Sequence, residues 1–195
     1  MLVSFYLIAA TCTSWPGWAG VKYFFTLYAH IQYNLREKKA HTFSSGDSYT
    51  ATGFNTTTGP QPNLGSPLGN PPYPGYTSSN GPNWVGFLST TYNESFILTY
   101  NFACDGATMD SRLVPPYLPT VVSMKQQVQN DFLPTYGNQP SFTPWASDDS
   151  LFAFFIGIND IGNSYTQKNE SSIQANIFVE YAELLEQVRI PSRYV

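Results

Sequence analysis

The run Leu151-Phe-Ala-Phe-Phe-Ile156, closed by Gly157, is the tightest constraint on the fold. An unbroken apolar run with no alternation leaves neither face for water. A strand of that kind belongs inside a sheet covered on both sides, and such sheets are parallel. The chain offers partners for it. Residues 21–26 are β-rich, and residues 95–103 read as a further buried strand. Helices fall between and after them. Asn83 caps a short helix over 84–88. After Thr120 a helix follows, with Val121, Met124, Val128 and Phe132 near one face. A strong helix covers 172–188, with Ile173, Ile177, Tyr181, Leu184, Leu185 and Val188 inward and Glu180, Glu183 and Glu186 outward. Ser171 and Gln174 have the spacing of a capping box at its start. Strands alternating with helices predict an α/β protein on a parallel sheet, with its ligand site at the carboxyl ends of the strands.

A length of 195 residues fits one domain. Disorder is excluded, because disordered chains are charge-rich and aromatic-poor, and here 16% of residues are aromatic and 11% charged. The net charge of −4 provides no basic footprint, so nucleic acid is not an expected partner. The basic residues are uneven. Arg36, Lys38 and Lys39 sit with Glu37 inside residues 27–45, a stretch that also holds both histidines, His30 and His41. Its composition differs from its surroundings, and it reads as an anomalous insertion between the strand over 21–26 and Gly46.

The first eleven residues are apolar but too short to span a bilayer. They resemble the apolar region of a secretory signal, although no Lys or Arg precedes them. Residues 1–20 are therefore expected to be a leader, and no stable membrane association is expected. Asn55, Asn93 and Asn169 each open an Asn-X-Ser/Thr sequon, which suits a secreted glycoprotein. Cys12 would leave with the leader. Cys104 then reads as a small packed residue rather than a nucleophile, since a thiolate needs a nearby base or cation.

Residues 53–86 hold seven of the 14 Gly and seven of the 15 Pro. Phe54, Tyr73, Tyr76 and Trp84 can anchor such a stretch, so it reads as a long ordered loop, and loops of that length inside a domain are usually functional. Tyr73, Tyr76 and Trp84 are candidates for stacking on sugar rings. The competing reading is that they pin the loop by packing.

Three short blocks carry the chemistry. Gly46-Asp47-Ser48 places a serine after a tight turn. Asn101-Phe-Ala-Cys-Asp-Gly-Ala-Thr108 ends a strand in a turn whose Gly106 lets the backbone N–H approach a ligand. Gly157-Ile158-Asn159-Asp160 follows the most apolar strand, and the Asn159 amide carries two donors. Each block alone is an ordinary turn or cap. Asp110, Asp148 and Asp149 form no convincing ligand cluster, and neither a metal nor another cofactor is expected.

In this order the blocks resemble the GDSL, or SGNH, hydrolases. The wider runs GDSYTATGFN, NPPYPGYTSSNGPNWVGFL, YNFACDGATMD and FFIGIND are similar to fungal-type acetylesterases of carbohydrate esterase family sixteen, over about residues 15–187. The resemblance implies a three-layer α/β/α fold, incomplete at the carboxyl terminus, within a partial domain over 21–195. It implies a serine esterase acting on acetylated carbohydrates or small acetyl esters, a monomer when completed. Ser48 would be the nucleophile. Its N–H, the N–H of Gly106 and the Asn159 amide would form the oxyanion hole. Two departures stand out. Family members often carry Gly where Asp105 stands. The family's Asp-x-x-His block, which supplies the base, does not occur, so the chain alone is expected to be inactive; His30 and His41 both precede Ser48. The alternative is a non-catalytic carbohydrate-binding or structural protein using the Tyr/Trp surface.

Overall fold

The computed structural model describes residues 25–29, 40–93, 95–146 and 149–189. A four-stranded sheet forms its centre, in the order β1 (Phe25–Ala29), β4 (Ser150–Phe155), β2 (Ala40–Gly46), β3 (Ile97–Asn101). The pairs β2–β4 and β2–β3 are parallel, as the apolar run of β4 predicts, and β1 joins the far edge of β4 antiparallel.

The predicted insertion over 27–45 needs correcting at its end. Residues 40–45 are not an excursion: they run straight into Gly46 as β2, between β3 and β4. Thr42, Ser44 and Ser45 are polar yet buried there. Neighbours on both sides saturate the backbone of an interior strand, so sheet position overrides the weak strand character of Ala40-His-Thr-Phe-Ser-Ser-Gly46. The other strand expected before Gly46 starts at Phe25 and runs to Ala29, later than the expected 21–26, on an edge instead of leading into the Gly-Asp-Ser turn. His30 and the leader over 1–20, with Cys12, lie outside the described residues.

Alternation along the strands divides the layers. Phe43 pairs in register with Tyr100 on one side and Phe152 on the other, and the three rings stack at 5.2 and 5.1 Å. Phe132 and Trp145 meet this row edge-on. The helical stretch after Thr120 covers that face as α2 (Met124–Gln126), a π-helical turn (Gln127–Phe132) and α3 (Leu133–Thr135). Val121, Met124, Val128 and Phe132 are buried, as their spacing predicts, although the π-helical turn is not visible in that spacing. On the other face lies α1 (Trp84–Thr90), whose Ser89 hydroxyl is 2.6 Å from that of Thr99. Asn83 caps α1 by accepting from the Val85 and Gly86 N–H groups.

After β4 come α4 (Ile158–Ser164) and α5 (Glu170–Arg189). The inward set of α5 is as expected, with Ile173, Ile177, Tyr181, Leu184 and Val188 buried. Its start is not: the Ser172 and Ile173 N–H groups donate to the Asn169 carbonyl, so Ser171 lies inside the helix instead of capping it. Glu180 is not a solvated outer residue either, since it pairs with Lys125, which also bonds Asp110 at 3.1 Å. No described helix is long and apolar enough to cross a membrane.

Candidate active site

Because β2, β3 and β4 are parallel, the three sequence blocks leave the sheet at one edge. The chain crosses between them there. The Asp47 N–H donates to the Phe155 carbonyl at 3.3 Å, and the Cys104 N–H donates to the Gly46 carbonyl at 3.1 Å. The Asn159 amide donates to the Ala107 carbonyl at 2.9 Å, and the Asp160 carboxylate accepts from the Met109 N–H at 3.0 and 3.1 Å.

Gly46 is clamped. Its N–H donates to the Gln127 Oε1 and its carbonyl accepts from the Gln127 Nε2, each at 2.9 Å. A side chain at Gly46 would run into the Phe155 carbonyl, which explains the glycine. The turn after it is equally constrained. The Asp47 carbonyl accepts from the Thr50 and Ala51 N–H groups, and its carboxylate accepts from the Tyr49 N–H at 3.0 Å. The Thr50 carbonyl accepts from the Asn83 and Asn101 amides at 2.8 and 2.6 Å. Ser48 stands half-buried at the top of this turn, on the central strand of the three.

Three donors at this edge matter. Among the described residues no acceptor takes the Ser48 N–H or the Gly106 N–H, and the Asn159 amide has spent one of its two hydrogens. Gly106 has φ of 78°, which only glycine adopts without strain, and the Tyr117 ring lies where its side chain would be. Asn159 lies in the first turn of α4, with its amide oriented by the Ala107 carbonyl. Fixed, unspent N–H groups at one edge are what an oxyanion site requires.

Two buried carboxylates flank these donors. Burial pushes Asp47 up to about 6; the Tyr49 N–H opposes this and the Asp105 charge adds to it. Burial pushes Asp160 to about 7, against the Met109 N–H and with help from Asp47 and Asp110. Asp105 itself is exposed, within 3.4 Å of the Ser78 hydroxyl.

The remaining predicted residues divide. Tyr76 is exposed over Gly53, and Tyr73 is exposed beside Gly86. Trp84 is half-buried and donates its indole N–H to the Thr50 hydroxyl at 3.2 Å, bracing the serine turn. Asn55 and Asn169 are exposed and Asn93 half-buried. Cys104 is a free, half-buried thiol packed against the core. Asp110 is held at about 2: burial raises it, but the Arg112 and Lys125 bonds outweigh that. Asp148 lies outside the described residues. His41 is at the amino end of β2, with its Nδ1 3.4 Å from Asp149. Seven residues of chain at ~3.3 Å each separate it from Ser48, so it does not reach the serine. Sequence reasoning passed over Gln127, Asp160 and Tyr117. Asp160 adjoins Asn159 in a recognisable block; for Gln127 and Tyr117 no local signal exists.

An α/β sheet with a serine turn on its central strand and unspent N–H donors beside it defines a hydrolase-type scaffold. The chain belongs to the GDSL-like lipase/acylhydrolase family, whose sequence model matches residues 43–190. It is similar to an acetylesterase of Thermothelomyces thermophilus, 46% identical over 136 residues that make up 70% of this chain and 44% of the relative. The chain thus spans less than half the length of that relative. No solved structure matches it.

Proposed function

We propose that this chain carries the nucleophile and oxyanion elements of a carboxylic ester hydrolase that removes acetyl groups from carbohydrates or small acetyl esters. Ser48 attacks the acetyl carbonyl. The Ser48 N–H, the Gly106 N–H and the second Asn159 N–H receive the negative charge that develops on oxygen. An acetyl-enzyme forms as the alcohol leaves, and water then releases acetate. The observation that carries this reading is the set of three unspent donors at the edge where Ser48 stands. A serine hydroxyl needs a proton acceptor, and the one described histidine, His41, is at the opposite end of β2. Secretion, with glycans on Asn55, Asn93 and Asn169, is part of the same proposal.

The test separates nucleophile from base. A fluorophosphonate probe, which phosphonylates activated serines, is applied with and without added imidazole, and the modified peptide is located by mass spectrometry. Labelling of Ser48, accelerated by imidazole and absent in Ser48→Ala, is expected. Hydrolysis of 4-nitrophenyl acetate should follow the same pattern. Labelling spread over other residues, or hydrolysis equal in Ser48→Ala, would sink the reading.

A further inference from the structure

We infer that Tyr76 and Tyr117 form a two-ring rim beside Ser48 that stacks on the sugar rings of the acetylated saccharide, with Asp105 between them accepting from sugar hydroxyls. This rests on the esterase reading of the site and names its saccharide contacts.

The two rings are exposed and fixed at once. Tyr76 is 76% exposed and Tyr117 67%. An exposed tyrosine on an ordinary surface swings freely. Here each ring has a glycine beneath it. A Cβ on Gly53 would come within 2.8 Å of the Tyr76 Cδ2, and one on Gly106 would run into the Tyr117 ring. Both glycines have positive φ, 76° and 78°. The absence of a side chain at each therefore does two things. It permits the backbone turn, and it lets the ring approach the main chain.

Further bonds hold the loops that bear the rings. The Tyr76 N–H donates to the Thr52 carbonyl at 2.9 Å. The Pro115 carbonyl, two residues before Tyr117, accepts from the Asn163 amide of α4 at 3.2 Å. Asn159 lies in the first turn of that same helix. The rim is continuous: Tyr76 leads by two residues to Ser78, whose hydroxyl is 3.4 Å from Asp105, and Gly106 with Tyr117 upon it follows. Gly53 lies five residues after Ser48, and Gly106 is a candidate oxyanion donor, so the rim borders the reaction site.

The chemistry selects the ligand. Held rings with open faces favour a flat partner. Asp105 adds an exposed carboxylate acceptor, and the Thr77 and Ser78 hydroxyls stand nearby. A sugar ring matches both demands, presenting C–H groups on its face and hydroxyl donors at its edge.

Titration calorimetry of the full chain with acetylated cellotetraose tests the inference without needing turnover. Saturable binding is expected. Tyr76→Ala and Tyr117→Ala should each weaken it about tenfold, and Tyr→Phe at either position should preserve it. Asp105→Asn should weaken it by a smaller factor. Unchanged melting temperatures show that the variants fold. No saturable binding, an unchanged affinity in the double alanine variant, or equal competition by phenol overturns the rim. Ser48 labelling is read separately, so failure of the nucleophile and failure of the rim give different results.

Discussion

Gln127 grips the Gly46 peptide by both of its polar groups, with its side-chain amide bonded to the N–H and to the carbonyl at 2.9 Å each. The residues are 81 positions apart, and Gln127 is fully buried. An amide side chain mimics a peptide edge, so it can bond the Gly46 backbone just past the end of β3, where the Gly46 carbonyl also accepts the Cys104 N–H. The geometry of Gly46-Asp47-Ser48 therefore depends on a residue in the π-helical turn packed over the sheet.

Gln127→Leu should show this dependence. Leucine keeps the volume but strands the Gly46 N–H in the interior. Loss of the two buried bonds to Gly46 and a third to the Val122 carbonyl, with one unsatisfied donor, should cost about 3 kcal/mol. Urea denaturation should show a lower midpoint with an unchanged slope, and Ser48 labelling by the fluorophosphonate should slow. An unchanged midpoint would contradict the clamp.

Stability should fall as pH rises from about 4 towards 7. The ordinary carboxyl value is 3.8, while Asp47 is raised to about 6 and Asp160 to about 7, chiefly by burial. Between those limits the folded state holds protons that the unfolded state has released, so raising the pH favours unfolding. The contribution is complete below pH 3.8 and lost as pH passes through about 6 and 7. Asp110 acts oppositely: held at about 2, it stabilises above pH 3.8 and loses that effect as pH falls through its folded value. Urea midpoints measured from pH 4 to 8 should therefore decline up to about pH 7 and level off above it. Asp160→Asn, which retains an acceptor for the Met109 N–H, should flatten the decline.

His41 should be irrelevant to serine chemistry and relevant to stability. It is buried at the amino end of β2, beside Asp149 and stacked near Phe43 and Tyr100. His41→Gln should leave Ser48 labelling unchanged while lowering the urea midpoint, because the Asp149 contact and ring packing are lost. Slowed labelling without loss of stability would assign His41 a role at the serine.

What was legible in the sequence was local. The β4 run, the Asn83 cap and the inward face of α5 each depend on neighbours within a few residues, and each lies where its pattern places it. The order of the Ser48, Gly106 and Asn159 blocks also carried over, because parallel strands bring their ends to one edge without any further specification. β2 was not legible: its polar residues become strand only because β3 and β4 enclose them. The Gln127 clamp, the His41–Asp149 contact and the seating of Tyr117 on Gly106 join distant segments, and periodicity contains no information about them. The antiparallel edge of β1 is of the same kind, set by which side of β4 remained unpaired.

Asn159 offers the sharpest separation of structure from chemistry. One amide hydrogen is bonded to the Ala107 carbonyl, and the other has no acceptor among the described residues. Asn159→Ala removes both. The structural loss is a single half-buried hydrogen bond, about 1 kcal/mol. The chemical loss is one oxyanion donor, ~3 kcal/mol or a factor of 10² or more in rate. Imidazole-assisted phosphonylation of Ser48 should therefore slow by about a hundredfold, while the urea midpoint falls only slightly. Asn159→Asp should be worse for the rate, because a carboxylate there repels the developing charge. A labelling rate that tracks stability across the two variants would assign Asn159 to the fold alone.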